Sequence, residues 1–173
     1  MIANVLGTES SLEKAEMYCE YLDNTVVDTI SFSDNIDENE RVSALVMKDT
    51  KDFSAYGSSR YTGKWVEMCG GNYSMVNEDS YANVNLTKEQ IFEYNPDYIF
   101  FAMPNQVEKF LEDPTWADLS AVKNGKVYNV PGGFNTWSNC GAESALVFKW
   151  AASIMYPDTV SYTHLTLPTI YSV

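Results

Sequence analysis

The sequence predicts an α/β fold: a three-layer αβα domain in which helices cover both faces of a mostly parallel sheet. Short apolar runs alternate with amphipathic segments from residue 41 to residue 156. One of these runs, YIFFAM at 98–103, is continuously apolar, which is typical of a strand buried on both faces. The segments between successive runs are long enough for the crossovers, of about a dozen residues, that parallel strands require.

A long helix is predicted before this alternation begins. Apolar residues recur at helical spacing throughout residues 10–35, among them Leu12 and Ile30. Ser10 or Ser11 can cap its first turn. We expect this helix to pack across the outside of the domain or to bridge to a further part of the protein.

The remaining elements follow in chain order. Strands are predicted at 41–48, 72–77, 98–103 and 124–130, of which 72–77 has the weakest pattern. Helices are predicted at 64–71, 85–95, 107–124 and 142–157. Thr87 and Gln90 have the spacing of a capping box at the start of the second of these helices. Three tryptophans lie in the helical patterns and are expected in the core: Trp65, Trp116 and Trp150.

Composition excludes several classes of function. The chain has 11 Lys and Arg against 24 Asp and Glu, and no basic run, which argues against a nucleic-acid partner. The single histidine and three isolated cysteines lack the spacing of metal ligands, so Cys19, Cys69 and Cys140 are expected to be structural thiols. No apolar run approaches the length of a membrane span, and the first residues lack the pattern of a signal peptide.

Residues 160–173, VSYTHLTLPTIYSV, differ from the rest of the chain. They contain no acidic residue, and they include the one histidine, His164. The stretch resembles the translated adapter tails that end many assembled gene fragments. We therefore predict a non-native tail and exclude His164 from the functional residues.

Candidate ligand-binding residues lie on the loops that follow the predicted strands. Ligands of open α/β sheets bind outside the carboxyl ends of the strands, which selects residues 49–63, 77–81, 103–106 and 131–139. These loops carry aromatic rings and one guanidinium, a combination that suits a large, flat or anionic ligand. They offer neither a histidine nor an acid pair, so no catalytic residue is predicted. The candidate contacts are Tyr56, Arg60, Phe134 and Trp137.

Each candidate has a plainer alternative. Phe134 and Trp137 can fold under their loop as part of the core, since a buried ring gains free energy. Arg60 can be a solvated loop charge.

Three stretches carry a resemblance to a known family: GKWVEMCGGNYS at 63–74, VNLTKEQIFEYNPDYIFFA at 84–102, and the segment from DPTW to MYPD at 113–158. In this order and spacing they resemble the C-terminal lobe of solute-binding proteins that deliver ferric siderophores, haem or cobalamin to ABC importers. The match covers about residues 1–159.

The resemblance implies two α/β lobes joined by one long helix, with the ligand between them. Residues 1–40 are then the inter-lobe helix and linker, residues 41–159 the C-terminal lobe, and the N-terminal lobe and export signal are missing. It also implies a non-enzymatic, extracytoplasmic monomer, in the periplasm or lipid-anchored at the outer face of the membrane. Such a protein has no cofactor of its own, although a metal chelate or tetrapyrrole-like ligand can carry iron or cobalt.

The resemblance also assigns roles to residues. Tyr56, Arg60, Phe134 and Trp137 match the loops that line the ligand cleft of the family. Glu89, in LTKEQIFEYNPD, matches the glutamate by which such proteins dock onto arginines of the ABC permease. The alternative role of Glu89 is to favour the positive end of the helix dipole.

Two functions of other classes remain open. One is a cytosolic doubly wound nucleotide- or metal-binding enzyme domain, in which the acidic loops hold a metal. The other is an interaction module that binds a partner through Glu89 and its neighbours without any small ligand.

Overall fold

A computed structural model describes residues 7–73, 81–141 and 143–159. The helices of the described chain are α1 Glu9–Asp34, α2 Tyr61–Met68, α3 Lys88–Tyr94, α4 Val107–Leu111, α5 Ser120–Lys123 and α6 Ser144–Met155. The strands are β1 Ala44–Met47, β2 Ser54–Ala55, β3 Val84–Asn85, β4 Tyr98–Phe101 and β5 Val127–Asn129. Two short 3-10 helices lie at Glu38–Glu40 and Pro114–Asp118.

The described strands form one sheet in the order β3-β2-β1-β4-β5. The pairs β1·β4 and β4·β5 are parallel, which confirms the predicted α/β class with a mostly parallel sheet. An antiparallel edge, β2 and β3, was not predicted. Each of these two strands has only two residues, too few to produce a periodic pattern in the sequence.

The weakly predicted strand at 72–77 is reduced, among the described residues, to one bridge between Asn72 and Ser43. Its residues 74–77 lie outside the described part of the chain.

Helices cover both faces of the sheet. On one face, Trp65 of α2 and Trp150 of α6 pack edge-on against Phe100 of β4. On the other face, Phe101 contacts Phe110 of α4. Because successive side chains of a strand point to opposite faces, these contacts define the three layers of the predicted αβα sandwich. The predicted burial of Trp65, Trp116 and Trp150 is confirmed.

Helix α1 is the long helix predicted at 10–35, but it begins differently. Its N-cap is Thr8, whose hydroxyl oxygen accepts a hydrogen bond from Ser11 N at 3.2 Å. Ser10 and Ser11 therefore lie inside the first turn and do not cap it. Thr8 is the better cap because its hydroxyl stands three residues before the free N–H that it satisfies.

The packed face of α1 agrees only in part with the predicted apolar face, since Val26 is partly buried against the core. Its buried residues are Thr25, Thr29 and Ser33, at spacings of four, whereas Leu12 and Ile30 are exposed. Small polar side chains allow the helix to approach its neighbours closely, and Thr29 Oγ1 donates to Thr25 O at 2.7 Å. Within the described residues, no helix is both long and apolar enough to cross a membrane.

The three cysteines are in different environments. Cys69 is buried and its thiol donates to Phe148 O at 3.3 Å, as expected of a structural thiol. Burial raises the pKa of the Cys69 thiol far above its ordinary value. Cys19 and Cys140 are exposed free thiols, and for these two the structural role stays a prediction.

Candidate ligand-binding site

The carboxyl ends of β1, β4 and β5 form one edge of the sheet, which we call the carboxyl edge. Ala102 N donates to Met47 O at 2.9 Å, and Val130 N donates to Phe101 O at 2.8 Å. The residues that follow all three strands are therefore aligned. The segment 131–139 leaves β5 at this edge, where Thr136 Oγ1 donates to Ala102 O at 3.1 Å.

Tyr56 and Arg60 lie between β2 and α2. Tyr56 is half-buried against the core, and its N–H donates to Val46 O at 3.2 Å. Burial raises the pKa of the Tyr56 hydroxyl, and the Arg60 charge offsets part of that rise. The exposed Arg60 guanidinium lies over the Tyr56 ring, 5.6 Å from its centroid, and donates to Asn83 Oδ1 at 2.5 Å. With five N–H donors in all, Arg60 can bind an anion and keep its contact with Asn83.

The segment with Arg60 and the segment with Trp137 meet at the first turn of α2. Thr62 Oγ1 donates to Ser138 O at 3.3 Å, and both residues are buried. Tyr61 OH donates to Ser144 O at 3.3 Å, and burial raises the pKa of this phenol to about 12. Arg60 lies two residues before Thr62, and Trp137 directly precedes Ser138. The Thr62–Ser138 contact joins the N-terminal end of α2 to the segment 131–139, and the convergence of Tyr56, Arg60 and Trp137 on one ligand site stays a prediction.

The two rings of the segment 131–139 have different environments. Phe134 is fully exposed, at 103% of its reference area, so the alternative of a buried ring is wrong for it. Trp137 is half-buried and packs against the core, so that alternative holds in part. Its Nε1 is buried without a hydrogen-bond partner among the described residues. The role of either ring as a ligand contact stays a prediction.

Glu143 is a residue of this edge that the sequence analysis missed. Its carboxylate accepts hydrogen bonds from Phe134 N at 3.3 Å and from Asn135 N at 3.1 Å. The contact joins residues separated by eight and nine positions of irregular chain. No helical or strand periodicity relates such residues, so no pattern in the sequence indicates the contact.

Gln106 is a second residue that the sequence analysis missed. Thr50 N and Oγ1 donate to Gln106 Oε1 at 3.2 and 3.0 Å. Gln106 N donates to Asn129 Oδ1 at 2.9 Å. Gln106, which follows β4, therefore joins Thr50 after β1 to Asn129 at the end of β5, and it is itself buried. Gln106 thus holds the ends of these strands together through its hydrogen bonds.

Glu89 lies in the first turn of α3, and the predicted capping box of Thr87 and Gln90 is confirmed there. Because α3 leads into β4, its N-terminus lies at the carboxyl edge, where Leu86 N donates to Phe53 O at 3.1 Å. The exposed Glu89 carboxylate has a pKa below its ordinary value, since it accepts from its own backbone N–H and from the Thr87 side chain. This position favours the helix dipole. Docking on a permease stays a prediction.

The loop predicted at 77–81 is described only at Tyr81, which is exposed. His164 and the tail at 160–173 lie outside the described residues. Within residues 7–73, 81–141 and 143–159, no group of three or more His, Cys, Asp or Glu side chains is placed to hold a metal ion.

Comparisons with known proteins place this arrangement in context. A family model described as periplasmic binding protein matches residues 2–132. The molybdate-binding protein MolA of Haemophilus influenzae is 33% identical over 111 residues, which is 62% of this chain and 31% of MolA. The Fe(3+)-citrate-binding protein YfmC of Bacillus subtilis is 30% identical over 105 residues, which is 59% of this chain and 32% of YfmC.

A solved structure has the same fold. An ABC transporter solute binding protein from Sulfurospirillum deleyianum DSM 6946 superposes with a TM-score of 0.73 at 26% identity, over 93% of this chain and 51% of that one. The match spans about a third of each curated relative and about half of the solved structure.

Proposed function

This chain belongs to the periplasmic binding protein family, and on that premise we propose that it is the C-terminal lobe of the substrate-binding component of an ABC importer. Residues 1–40 are the connecting helix and linker, and residues 41–159 are the lobe. The protein captures a small ligand outside the cytoplasm, in the periplasm or anchored at the outer face of the membrane. It delivers the ligand to the permease and catalyses no reaction on it.

The observation that carries this proposal is the set of side chains at the carboxyl edge. Phe134 is fully exposed there, which forgoes about 1.5–3 kcal/mol of burial free energy that a covering ligand restores. The Arg60 guanidinium lies over the Tyr56 ring, and we assign both to the same ligand site. A ligand that satisfies both has an apolar or flat surface and an anionic group.

The ligand class proposed is a metal chelate: an iron-siderophore, with haem and corrinoids as the tetrapyrrole-like members. The curated relatives are named for Fe(3+)-citrate and for molybdate. Both ligands are compatible with a guanidinium, because citrate carries carboxylates and molybdate is an oxyanion. The ligands for which both relatives are named are thus metal-bearing anions, which the Arg60 guanidinium could bind.

The ligand is held between this lobe and a second lobe. A single edge covers one side of a ligand, whereas binding pockets bury most of the ligand surface. Closure of two lobes around the ligand then creates the form that the permease recognises.

Glu89 is the proposed contact with the permease. Its carboxylate is exposed at the carboxyl edge, where an arginine of a partner can reach it. Glu89→Gln is expected to reduce transport in cells and to leave ligand affinity unchanged. Glu93→Gln, on the same helix, is the matched control. Equal transport by both variants would argue against the docking role.

The ligand proposal is tested in the complete protein, produced from the full coding region. Tryptophan fluorescence is titrated with five probes: ferric citrate, a ferric hydroxamate siderophore, haem, cyanocobalamin and molybdate. We expect saturable quenching by at least one of them. No response to any of the five would contradict the proposed function.

The same titration with two charge variants tests the site. Arg60→Gln is expected to weaken binding of an anionic probe by about tenfold or more, because a hydrogen bond to a charged group contributes about 1.5–3 kcal/mol. Lys123→Gln removes the same charge from the opposite edge, where Lys123 pairs with the exposed Asp118 at 2.9 Å. It should bind like wild type. Equal losses in the two variants would place the anion elsewhere.

A further inference from the structure

Glu143 connects an irregular turn to a rigid helix. The turn contains Gly132 and Thr136, which form an antiparallel bridge, and Phe134 at its tip. Helix α6 begins immediately after Glu143 and is buried along most of its length. Leu146 N donates to Glu143 O at 3.0 Å, so the backbone at 143 is fixed by the helix. The Glu143 carboxylate extends from this fixed point to the backbone of the turn.

The carboxylate holds the turn at the residue that carries the exposed ring. Its two oxygens accept from two successive amides, Phe134 N at 3.3 Å and Asn135 N at 3.1 Å. Hydrogen bonds to an ionised acceptor are stronger than those between neutral groups. Two bonds to adjacent amides also fix the orientation of the peptide between them, and with it the direction of the Phe134 side chain.

Gly133 is fitted to this arrangement. A Cβ atom at position 133 would overlap Glu143 Oε1 and would stand 3.0 Å from Glu143 Cδ. The backbone of Gly133 is not in the positive-φ region that favours glycine. The carboxylate therefore accounts for the lack of space at residue 133, and the local conformation does not.

We propose that Glu143 is a positioning residue for the ligand site, because its carboxylate fixes the turn 132–136 and so presents Phe134 and Trp137 to the ligand. We call the contact of the Glu143 carboxylate with the amides of Phe134 and Asn135 the clamp, and it rests on the two hydrogen bonds described. The ligand that the clamp would serve rests on the proposed function. The two parts are tested separately.

The clamp is tested without ligand, by amide hydrogen exchange of the 173-residue chain. Glu143→Ala removes both acceptor oxygens and is expected to speed exchange at Phe134 and Asn135 by about tenfold or more, with other amides unchanged. Glu143→Gln keeps one acceptor oxygen and should fall between wild type and the alanine variant. Glu93→Ala, an exposed glutamate on α3, is the control. Exchange that is unchanged at 134 and 135, or that rises throughout the chain, overturns the clamp.

A double-mutant cycle tests the fit of Gly133. Gly133→Ala alone is expected to speed exchange at Phe134 and Asn135, because the new methyl group displaces the carboxylate. In the Glu143→Ala background the same substitution should have no further effect, since the obstructing oxygen is gone. Additive effects of the two substitutions would show that Gly133 and Glu143 act independently and would overturn the proposal.

The ligand part is tested in the complete protein with ferric citrate and then with the other four probes named above. We expect Glu143→Ala to weaken binding of the quenching probe by about tenfold, Glu143→Gln to weaken it less, and the melting temperature to stay near that of wild type. Wild-type affinity in Glu143→Ala overturns the positioning role and leaves the proposed function intact. A wild-type protein that binds none of the probes overturns the proposed function and the ligand role of Glu143 together, while exchange still decides whether the clamp exists.

Discussion

At the amino edge of the sheet, where α1 joins β1, polar side chains bind the elements to one another, whereas the carboxyl edge also exposes the large apolar side chains of Phe134 and Met103 to solvent. Arg41 Nη2 donates to Ser33 O at 2.7 Å, and Ser33 Oγ donates to Glu67 O at 3.1 Å. These bonds join the end of α1 to α2 and to the residues before β1. The charged donor also satisfies a carbonyl at the C-terminal end of α1.

Tyr156 adds a second connection at the amino edge. Its hydroxyl donates to Gly70 O at 2.8 Å and accepts from Val42 N at 3.2 Å, and its ring packs edge-on against Phe32. Four elements, α1, α2, β1 and α6, thus meet around one phenol. At the carboxyl edge, by contrast, Phe134 is fully exposed and Met103 is 43% exposed.

The difference teaches how one sheet serves two purposes. Polar groups at the amino edge are paired within the protein, so changes there should cost stability. Rings at the carboxyl edge lack such partners, so changes there should cost binding and little stability. The following predictions test this division, from the largest expected change in stability to the smallest.

Gly70→Ala should have the largest effect. Gly70 has φ of 86°, and a Cβ atom there would overlap Ile36 Cδ1 and stand 3.2 Å from Tyr156 Cε2. Backbone strain and overpacking together should lower the free energy of unfolding by about 2–4 kcal/mol, measured by urea denaturation. At Gly141, a Cβ atom would meet nothing within 4 Å. Gly141→Ala should therefore change the free energy of unfolding by less than about 0.5 kcal/mol. Comparable losses at both positions would contradict the account.

Tyr156→Phe should have an intermediate effect. It removes the donor to Gly70 O and leaves Val42 N without its acceptor, which should lower the free energy of unfolding by about 1–2 kcal/mol. Tyr81→Phe is the matched control, because Tyr81 is 77% exposed and should be neutral. A Tyr156→Phe protein as stable as the control would show that the amino edge does not depend on this hydroxyl.

Asp113 should contribute a small, pH-dependent amount near the carboxyl edge. Lys88 Nζ lies 2.6 Å from Asp113 Oδ2, and this hydrogen bond is the main reason that the pKa of Asp113 is lowered to about 2. Because the folded pKa lies below the unfolded value, the stabilisation is complete above about pH 4 and is lost as the pH falls towards 2.

The test of Asp113 compares urea midpoints at pH 4.5 and pH 2.5 in wild type and Asp113→Asn. The wild-type midpoint should fall more over this interval than that of the variant. The same fall in both proteins would mean that the Lys88–Asp113 pair is too well solvated to matter.

Phe134→Ala should have the smallest effect on stability. The ring is fully exposed, so its removal should change the free energy of unfolding by less than about 0.5 kcal/mol. The same variant of the complete protein should bind the quenching probe more weakly, since the ligand loses its contact with the ring. A loss of more than about 1 kcal/mol in the free energy of unfolding, with normal binding, would show that Phe134 serves stability and not ligand binding.

The strands and helices that local pattern determines could be predicted from the sequence. The buried run of β4, the capping box at Thr87 and the core tryptophans each depend on neighbouring residues, and each is confirmed. The family resemblance found in the same stretches is confirmed by the match over residues 2–132. That membership favours the leading interpretation, a solute-binding protein, over the enzyme domain and the interaction module.

Features set by long-range contacts could not be predicted. The packed face of α1 combines the buried Thr25, Thr29 and Ser33 with Val26 and Phe32, which are partly buried against the core, whereas Leu12 and Ile30 are exposed. Glu143 and Gln106 act on residues that are distant in sequence or in another loop. The residues proposed as ligand contacts follow from the rule for parallel sheets, but their roles and the boundaries of the lobe remain predictions.

The most direct test of the central claim, that the ligand binds at the carboxyl edge, is an amide chemical-shift titration of the 173-residue chain with gallium(III) citrate, a diamagnetic substitute for the ferric complex. We predict shifts at residues 56–60 and 132–137, with residues 33–42 of the amino edge unchanged. Shifts centred on residues 33–42 of the amino edge, with residues 56–60 and 132–137 unchanged, would contradict the claim.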